Sequence, residues 1–287
     1  MKILLTGASG FIGMHLIQDI SEHQIIPISL RDTLPENLDL HEYDAVIHLA
    51  ALVHQMSIAP EHDYLRINRD LTLSLAQKAK ESGVSHFIFM STVKVYGEET
   101  TLIPLNENSP VHPSEPYGKS KRQAEEGLLS MSSENFTVSI IRTPLVYGEG
   151  VRANMFNLIK LCDTLPILPF GGINNRRSIV YVKNLTAFIH TLLNNPLSDI
   201  FLVTDLFPVS TTQLIQNIQI TLGKKGRLLP LPTWLINLIH QIKPSIHQRL
   251  FGSLEFDPSI SFKKLNFIPL FSTKEGIENT VRWYQHD

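Results

Sequence analysis

Cysteine is almost missing from this chain of 287 residues: a single Cys162 excludes an intramolecular disulfide framework and fits a reducing compartment. That thiol is expected to be a small buried hydrophobe rather than a nucleophile. Charge is sparse and balanced. With 18% charged residues, a net charge of -2 and a pI near 6.6, no basic field for nucleic acid exists. Long hydrophobic runs are missing too, since no uninterrupted apolar stretch approaches the ~18–20 residues of a membrane span. The apolar opening Met1-Lys2-Ile3-Leu4-Leu5 breaks at Thr6-Gly7, short of the ~7–15 residues an export h-region needs. A cytoplasmic protein is therefore expected. There is no internal repeat and no disordered tract, and no metal-ligand set stands out.

What is present is an ordinary globular composition, 43% hydrophobic, long enough for a full core and two lobes. Short apolar runs alternate with amphipathic stretches, the pattern of a parallel sheet covered by helices. Strands are expected at Lys2 to Thr6, Ile25 to Leu30, Ala45 to Ala50, Phe87 to Met90 and Val138 to Arg142. Helices are expected at Phe11 to Ser21, Leu71 to Glu81 and Tyr117 to Met131. Between Arg31 and Tyr43 there is little room for another strand and helix, and Leu34-Pro35 interrupts what there is, so that segment should be abbreviated. Beyond Gly148 prolines and glycines break the chain. Ser178 to Val182 then reads as a strand returning to the sheet, and the remainder as a smaller helical lobe. Within it, Trp234 to Ile239 is apolar enough for a membrane-surface helix, but a thin cationic flank favours a packed one.

Two segments carry chemistry. Gly7-Ala8-Ser9-Gly10-Phe11-Ile12-Gly13 lies between the first strand and helix, the context of a dinucleotide fingerprint. Its glycines allow a tight turn, close approach of the phosphates and close helix–strand packing, while helix N–H groups face the pyrophosphate. At the end of the second strand Arg31 can pair with a 2′-phosphate and favours NADP(H). Asp32, one residue on, can instead serve a ribose, which keeps NAD(H) open.

Tyr117 and Lys121 in Tyr117-Gly118-Lys119-Ser120-Lys121 are four apart, on one helix face. A phenol titrating near pH 10 is a poor acid–base group at neutrality, and an ammonium one turn away stabilises its phenolate. Thr92, in Ser91-Thr92-Val93-Lys94-Val95-Tyr96-Gly97, ends a strand with a hydroxyl able to bond a reacting carbonyl or alcohol; a turn role competes with it.

Taken together, the Gly7 to Gly13 segment, His48-Leu49-Ala50-Ala51, Asn68, the Thr92 segment, Tyr117 to Lys121, Arg142 to Gly148 and Arg177 to Asn184 resemble the extended short-chain dehydrogenase/reductase family, in its nucleotide-sugar branch. The resemblance implies an α/β fold: a Rossmann-type doubly wound parallel sheet with a smaller, mostly helical C-terminal lobe. Residues 1–148 and 177–204 would then form the dinucleotide domain, and 149–176 with 205–287 the substrate lobe. It implies a triad of Thr92, Tyr117 and Lys121. Leu49, Ala50 and Ala51 would line the cofactor, Thr143 and Pro144 would sit near the nicotinamide, and Asn154, Arg177 and Arg249 would contact the substrate diphosphate. Two departures matter: Arg31 stands where NAD-dependent sugar epimerases carry an acid, and Leu145 where many carry a diphosphate-binding Asn. The local combinations around Val53-His54, Val93-Lys94 and Arg176-Arg177 are similar to bacterial polysaccharide-sugar proteins, so His54, Gln55 and Lys94 are candidate hexose contacts. Family members commonly pair through the helices that here start near Asn68 and Tyr117, which implies a homodimer.

Three functions fit the sequence. A 4-ketoreductase would use NADPH on a UDP-linked 4-keto-6-deoxyhexosamine of the N-acetylquinovosamine type. A UDP-hexose 4-epimerase would use the same triad with tightly held NAD. A non-catalytic dinucleotide sensor would share the fold but would not need an intact Tyr–Lys pair.

Overall fold

The computed structural model describes residues 1–53, 59–97 and 103–286. The chain enters on β1 (Lys2–Thr6), turns at Gly7 into α1 (Phe11–Asp19) and returns on β2 (Gln24–Ile28). Only a 3-10 turn at Pro35–Asn37 separates β2 from β3 (Ala45–His48), so the abbreviated segment is as expected. α2 (Glu61–Leu65) runs through a π-helical turn at Arg66–Asp70 into α3 (Leu71–Glu81). β4 (His86–Thr92), α4 (Pro116–Met131) and β5 (Thr137–Thr143) follow. Next come β6 (Leu145–Tyr147), α5 (Ala153–Thr164), β7 (Ile167–Gly171), β8 (Ile179–Tyr181), α6 (Val182–Asn194) and β9 (Asp199–Leu202). The C-terminal part contains α7 (Thr211–Thr221), β10 (Arg227–Pro230), α8 (Thr233–Ile242), α9 (Pro244–Phe251), α10 (Ser259–Leu265) and α11 (Thr273–His286).

Six strands form one parallel sheet in the order β2-β1-β3-β4-β5-β9. Every residue of β3 and β4 is buried, as near-continuous apolar runs between two helical layers require. One face packs Leu16 and Ile20 beside α1 with Leu185, Phe188 and Leu192 of α6. The other packs Leu75 and Ala79 of α3 with Ala124 and Leu128 of α4. Helices on both faces make this the doubly wound, Rossmann-like arrangement. All six strands therefore end along one edge, where a site can form.

Two expectations need correction. Ser178 to Val182 does not rejoin the main sheet: β8 pairs with β6 in a separate two-stranded sheet, and β9 closes the main sheet beside β5. Pro144, which has no N–H to donate, separates β6 from β5. The buried Asp205 carboxylate then fixes the pair, accepting from the Tyr181 N–H at 3.0 Å and the Tyr147 hydroxyl at 2.7 Å. The second correction is α8, expected to be packed, in which no residue is buried. It lies chiefly against α9, itself a surface helix, so that half of its apolar side chains face outward.

Candidate active site

At the first strand end, Gly7 has φ of 75° and a Cβ there would lie 2.7 Å from the Ala50 nitrogen. At Gly13 a Cβ would lie 2.4 Å from the Gly7 oxygen, so turn and helix meet at distances only glycine allows. Gly10 caps α1 without a side-chain hydrogen bond, and the first turn has no acid. Phe11 and Ile12 are half-buried there. Leu49, Ala50 and Ala51, also half-buried, leave β3 alongside, with the Leu49 N–H donating to the Thr6 carbonyl at 3.2 Å and the Ala50 N–H to Thr6 Oγ1 at 3.3 Å. A glycine cradle, uncapped N–H groups and the positive end of a helix dipole fit a dinucleotide pyrophosphate. Arg31 stands exposed just beyond β2, next to exposed Asp32.

β2 is three strands from β4, about 14 Å at ordinary strand spacing, so Arg31 and Thr92 occupy separate parts of the same edge. Thr92 is the buried last residue of β4, its Oγ1 accepting from the Lys94 N–H at 3.3 Å. Thr143 pairs with it in register on β5, and Pro144 follows. Tyr117 stands in the first turn of α4 behind Pro116, its ring edge toward Tyr64 at 6.4 Å. One turn on, Lys121 is buried with its ammonium 4.0 Å from the centre of the Phe89 ring.

Burial, rather than the neighbouring ammonium, governs the phenol. It pushes Tyr117 up to about 12, with the Thr92 side chain acting in the opposite direction. Burial also draws Lys121 down to about 7, opposed by the Glu125 carboxylate. The expected lowering of the phenol is therefore reversed in this structure, and Tyr117 is neutral at pH 7.

Glu125 is the residue that the sequence argument missed. It continues the stripe Tyr117, Lys121, Glu125 at helical spacing and is fully buried. Arg142 Nε and Nη2 donate to its two oxygens at 2.9 and 2.6 Å, the Ser91 hydroxyl donates at 2.6 Å, and Arg122 approaches at 3.4 Å. Arg142 Nη1 also donates to the Tyr96 hydroxyl at 2.8 Å. This cluster ties α4 to the residues beside Thr92 and Thr143. A carboxylate four residues past Lys121 on an otherwise buried face was the available signal. A second network was unassigned as well. His48 joins the Thr6 and Thr72 hydroxyls at 2.7 and 2.9 Å. Asn68 donates to the Leu52 carbonyl at 3.0 Å and to the Ser120 hydroxyl at 3.1 Å. Burial draws His48 down to about 3, so it is a neutral linker between hydroxyls.

Of the residues expected to meet the substrate, Lys94 pairs with Glu115 at 2.5 Å, at the N-cap of α4. Asn154 is exposed in the first turn of α5, beside Ala153 with φ of 56°. Arg177 is half-buried, its Nη1 donating to the carbonyls of Gln248 and Gly252 at 3.2 Å, while Arg249 is exposed on the intervening α9 segment. His54 and Gln55 lie outside the described residues. A surface group of Glu22, His23 and His190 brings three possible metal-ligand atoms within 4.8 Å of one another, where the sequence singled out none. Among the described residues no helix is long and apolar enough to cross a membrane.

With the glycine cradle after β1 and Thr92 at the end of β4 on one sheet edge, residues 3–203 match the profile of the NAD dependent epimerase/dehydratase family. The chain belongs to this family. It is 33% identical to a UDP-glucose 4-epimerase of Vibrio cholerae, over 98% of this chain and 94% of the relative. It is 30% identical to the N-acetyl-alpha-D-glucosaminyl-diphospho-ditrans,octacis-undecaprenol 4-epimerase of Escherichia coli O157:H7, over 98% of this chain and 95% of that one. Among solved structures, RMD from Pseudomonas aeruginosa complexed with NADPH superposes with a TM-score of 0.77 at 20% identity, covering 100% of this chain and 99% of that one. Similar solved structures of the fold hold NAD in some cases and NADPH in others, and some hold UDP-sugars. This is a nucleotide-sugar enzyme of the epimerase/dehydratase type.

Proposed function

We propose that the protein reduces the C4 keto group of a UDP-linked 4-keto-6-deoxyhexosamine, of the N-acetylquinovosamine type, with NADPH, in the making of a surface-polysaccharide sugar. Arg31 carries this reading: an exposed cation at the end of β2 suits the 2′-phosphate that distinguishes NADP(H). When bound, the nicotinamide supplies the hydride that becomes the new C4–H bond. Thr92 Oγ1 hydrogen-bonds the C4 oxygen and polarises the carbonyl. The neutral Tyr117 hydroxyl gives its proton to that oxygen as it becomes an alcohol, and Lys121 stabilises the phenolate left behind. Asn154, Arg177 and Arg249 hold the diphosphate, from a substrate lobe of residues 149–176 and 205–287. The homodimer would form through α3 and α4.

A second reading has its own support. The two relatives described above, at 33% and 30% identity, are named as 4-epimerases, one of a nucleotide sugar and one of a sugar diphosphate on undecaprenol. That chemistry would use the same triad with NAD retained through oxidation and return of hydride. Arg31→Ala separates the two. Loss of a charge-assisted hydrogen bond should raise the KM for NADPH roughly ten- to hundredfold and leave that for NADH unchanged. An unchanged NADPH KM, with NAD co-purifying, favours the epimerase.

A further inference from the structure

α8 presents two apolar sides where folding uses one. Leu235, Ile236 and Ile239 are half-buried. Trp234, Leu238 and Ile242, four apart and so on one stripe, stand 67%, 41% and 65% exposed. Leu229 on β10 and Ile246 on α9 add apolar surface at either end, at 50% and 40% exposure. A contiguous apolar stripe of this kind marks an interaction surface.

Charge narrows its partner. From Leu206 to Leu254 there is no Asp or Glu, while Lys225, Arg227 and Lys243 are all exposed. α8 itself has no lysine or arginine, which is why its flank looks thin in sequence. The cations come from the start of β10 and the residues leading into it, and from the turn between α8 and α9. A stripe led by Trp234, flanked by cations within an acid-free stretch, matches an anionic bilayer surface. A second copy fits less well, because a symmetric contact through α8 would set like cations against one another.

We propose that α8 docks this protein on an anionic phospholipid surface. α8 packs on α9, and the Gln248 carbonyl of α9 accepts from Arg177. One helix, about 10–12 Å across, thus stands between the docking stripe and that guanidinium.

The test is sedimentation with vesicles of phosphatidylethanolamine and phosphatidylglycerol, or of phosphatidylcholine alone, for the full chain and its Trp234→Ser/Leu238→Ser/Ile242→Ser variant. All three sites are exposed, so the variant should keep the wild-type melting temperature. The wild type should partition onto anionic vesicles at least tenfold better than onto neutral ones, with high salt weakening it and the variant losing it. Absence of wild-type binding, equal binding by the variant, or a dimer that dissociates in the variant without vesicle binding would overturn docking.

Discussion

Lys121→Met should make the dinucleotide-free protein more stable while abolishing turnover. The lysine is drawn from 10.5 to about 7 by burial, and at about 1.4 kcal/mol per pKa unit the charged side chain costs about 5 kcal/mol below neutrality. Its ammonium lies 4.0 Å from the centre of the Phe89 ring, and a desolvated contact of that kind returns about 2 kcal/mol. Methionine fills a similar volume without charge, and Glu125 keeps Arg142 as partner. The net gain is about 3 kcal/mol, measured as the difference in urea unfolding free energy at pH 6. The sign of the pH dependence follows from the depressed value. Below about 7 folded and unfolded states both hold the proton, and the penalty is complete. Between about 7 and 10.5 the unfolded chain binds more protons, so wild-type stability rises with pH and the advantage of the variant shrinks. A variant that is less stable than wild type at pH 6, or whose advantage grows with pH, would refute this account of Lys121. One that retains turnover would remove the lysine from the site.

Tyr117→Phe should lower turnover by about 10²–10⁴ while dinucleotide affinity, read by fluorescence titration, stays near wild type. Full activity in that variant would instead support a non-catalytic role for the fold. Glu125→Gln should cost about 3–5 kcal/mol in urea unfolding, because it leaves the Arg142 guanidinium buried without its counter-charge. In whatever fraction stays folded, loss of the carboxylate should move Lys121 further below about 7, and the pH profile of turnover should shift toward acid.

The alternation of apolar runs marked β1 and α3 to the residue and placed β3, β4 and β5 to within two residues at either end. The strands are legible because burial on both faces leaves apolar residues at the centre of each. β8 was placed correctly along the chain but assigned to the wrong sheet, since a three-residue apolar strand carries no information about its partner. That choice depends on Pro144 and the Asp205 carboxylate, which are distant in sequence. The glycine cradle and the Thr92, Tyr117 and Lys121 positions could be read because strand ends and a four-residue spacing fix their placement. The balance of forces on Tyr117 and Lys121 could not. Burial of the two groups, with Tyr64 beside Tyr117 and Phe89 beside Lys121, arises only in the fold. The exposure of α8 was hidden for a similar reason: its apolar composition suits a packed helix and a surface helix equally.

The central claim is hydride transfer from NADPH to a 4-keto sugar. The most direct measurement follows reduced-nicotinamide absorbance with purified protein, a UDP-4-keto-6-deoxy-N-acetylhexosamine and NADPH or NADH, after identifying any dinucleotide already bound. Stoichiometric oxidation of NADPH in preference to NADH, with formation of the C4 alcohol, is the predicted result. No net oxidation, together with bound NAD and interconversion of UDP-hexoses, would contradict it and establish the protein as a 4-epimerase.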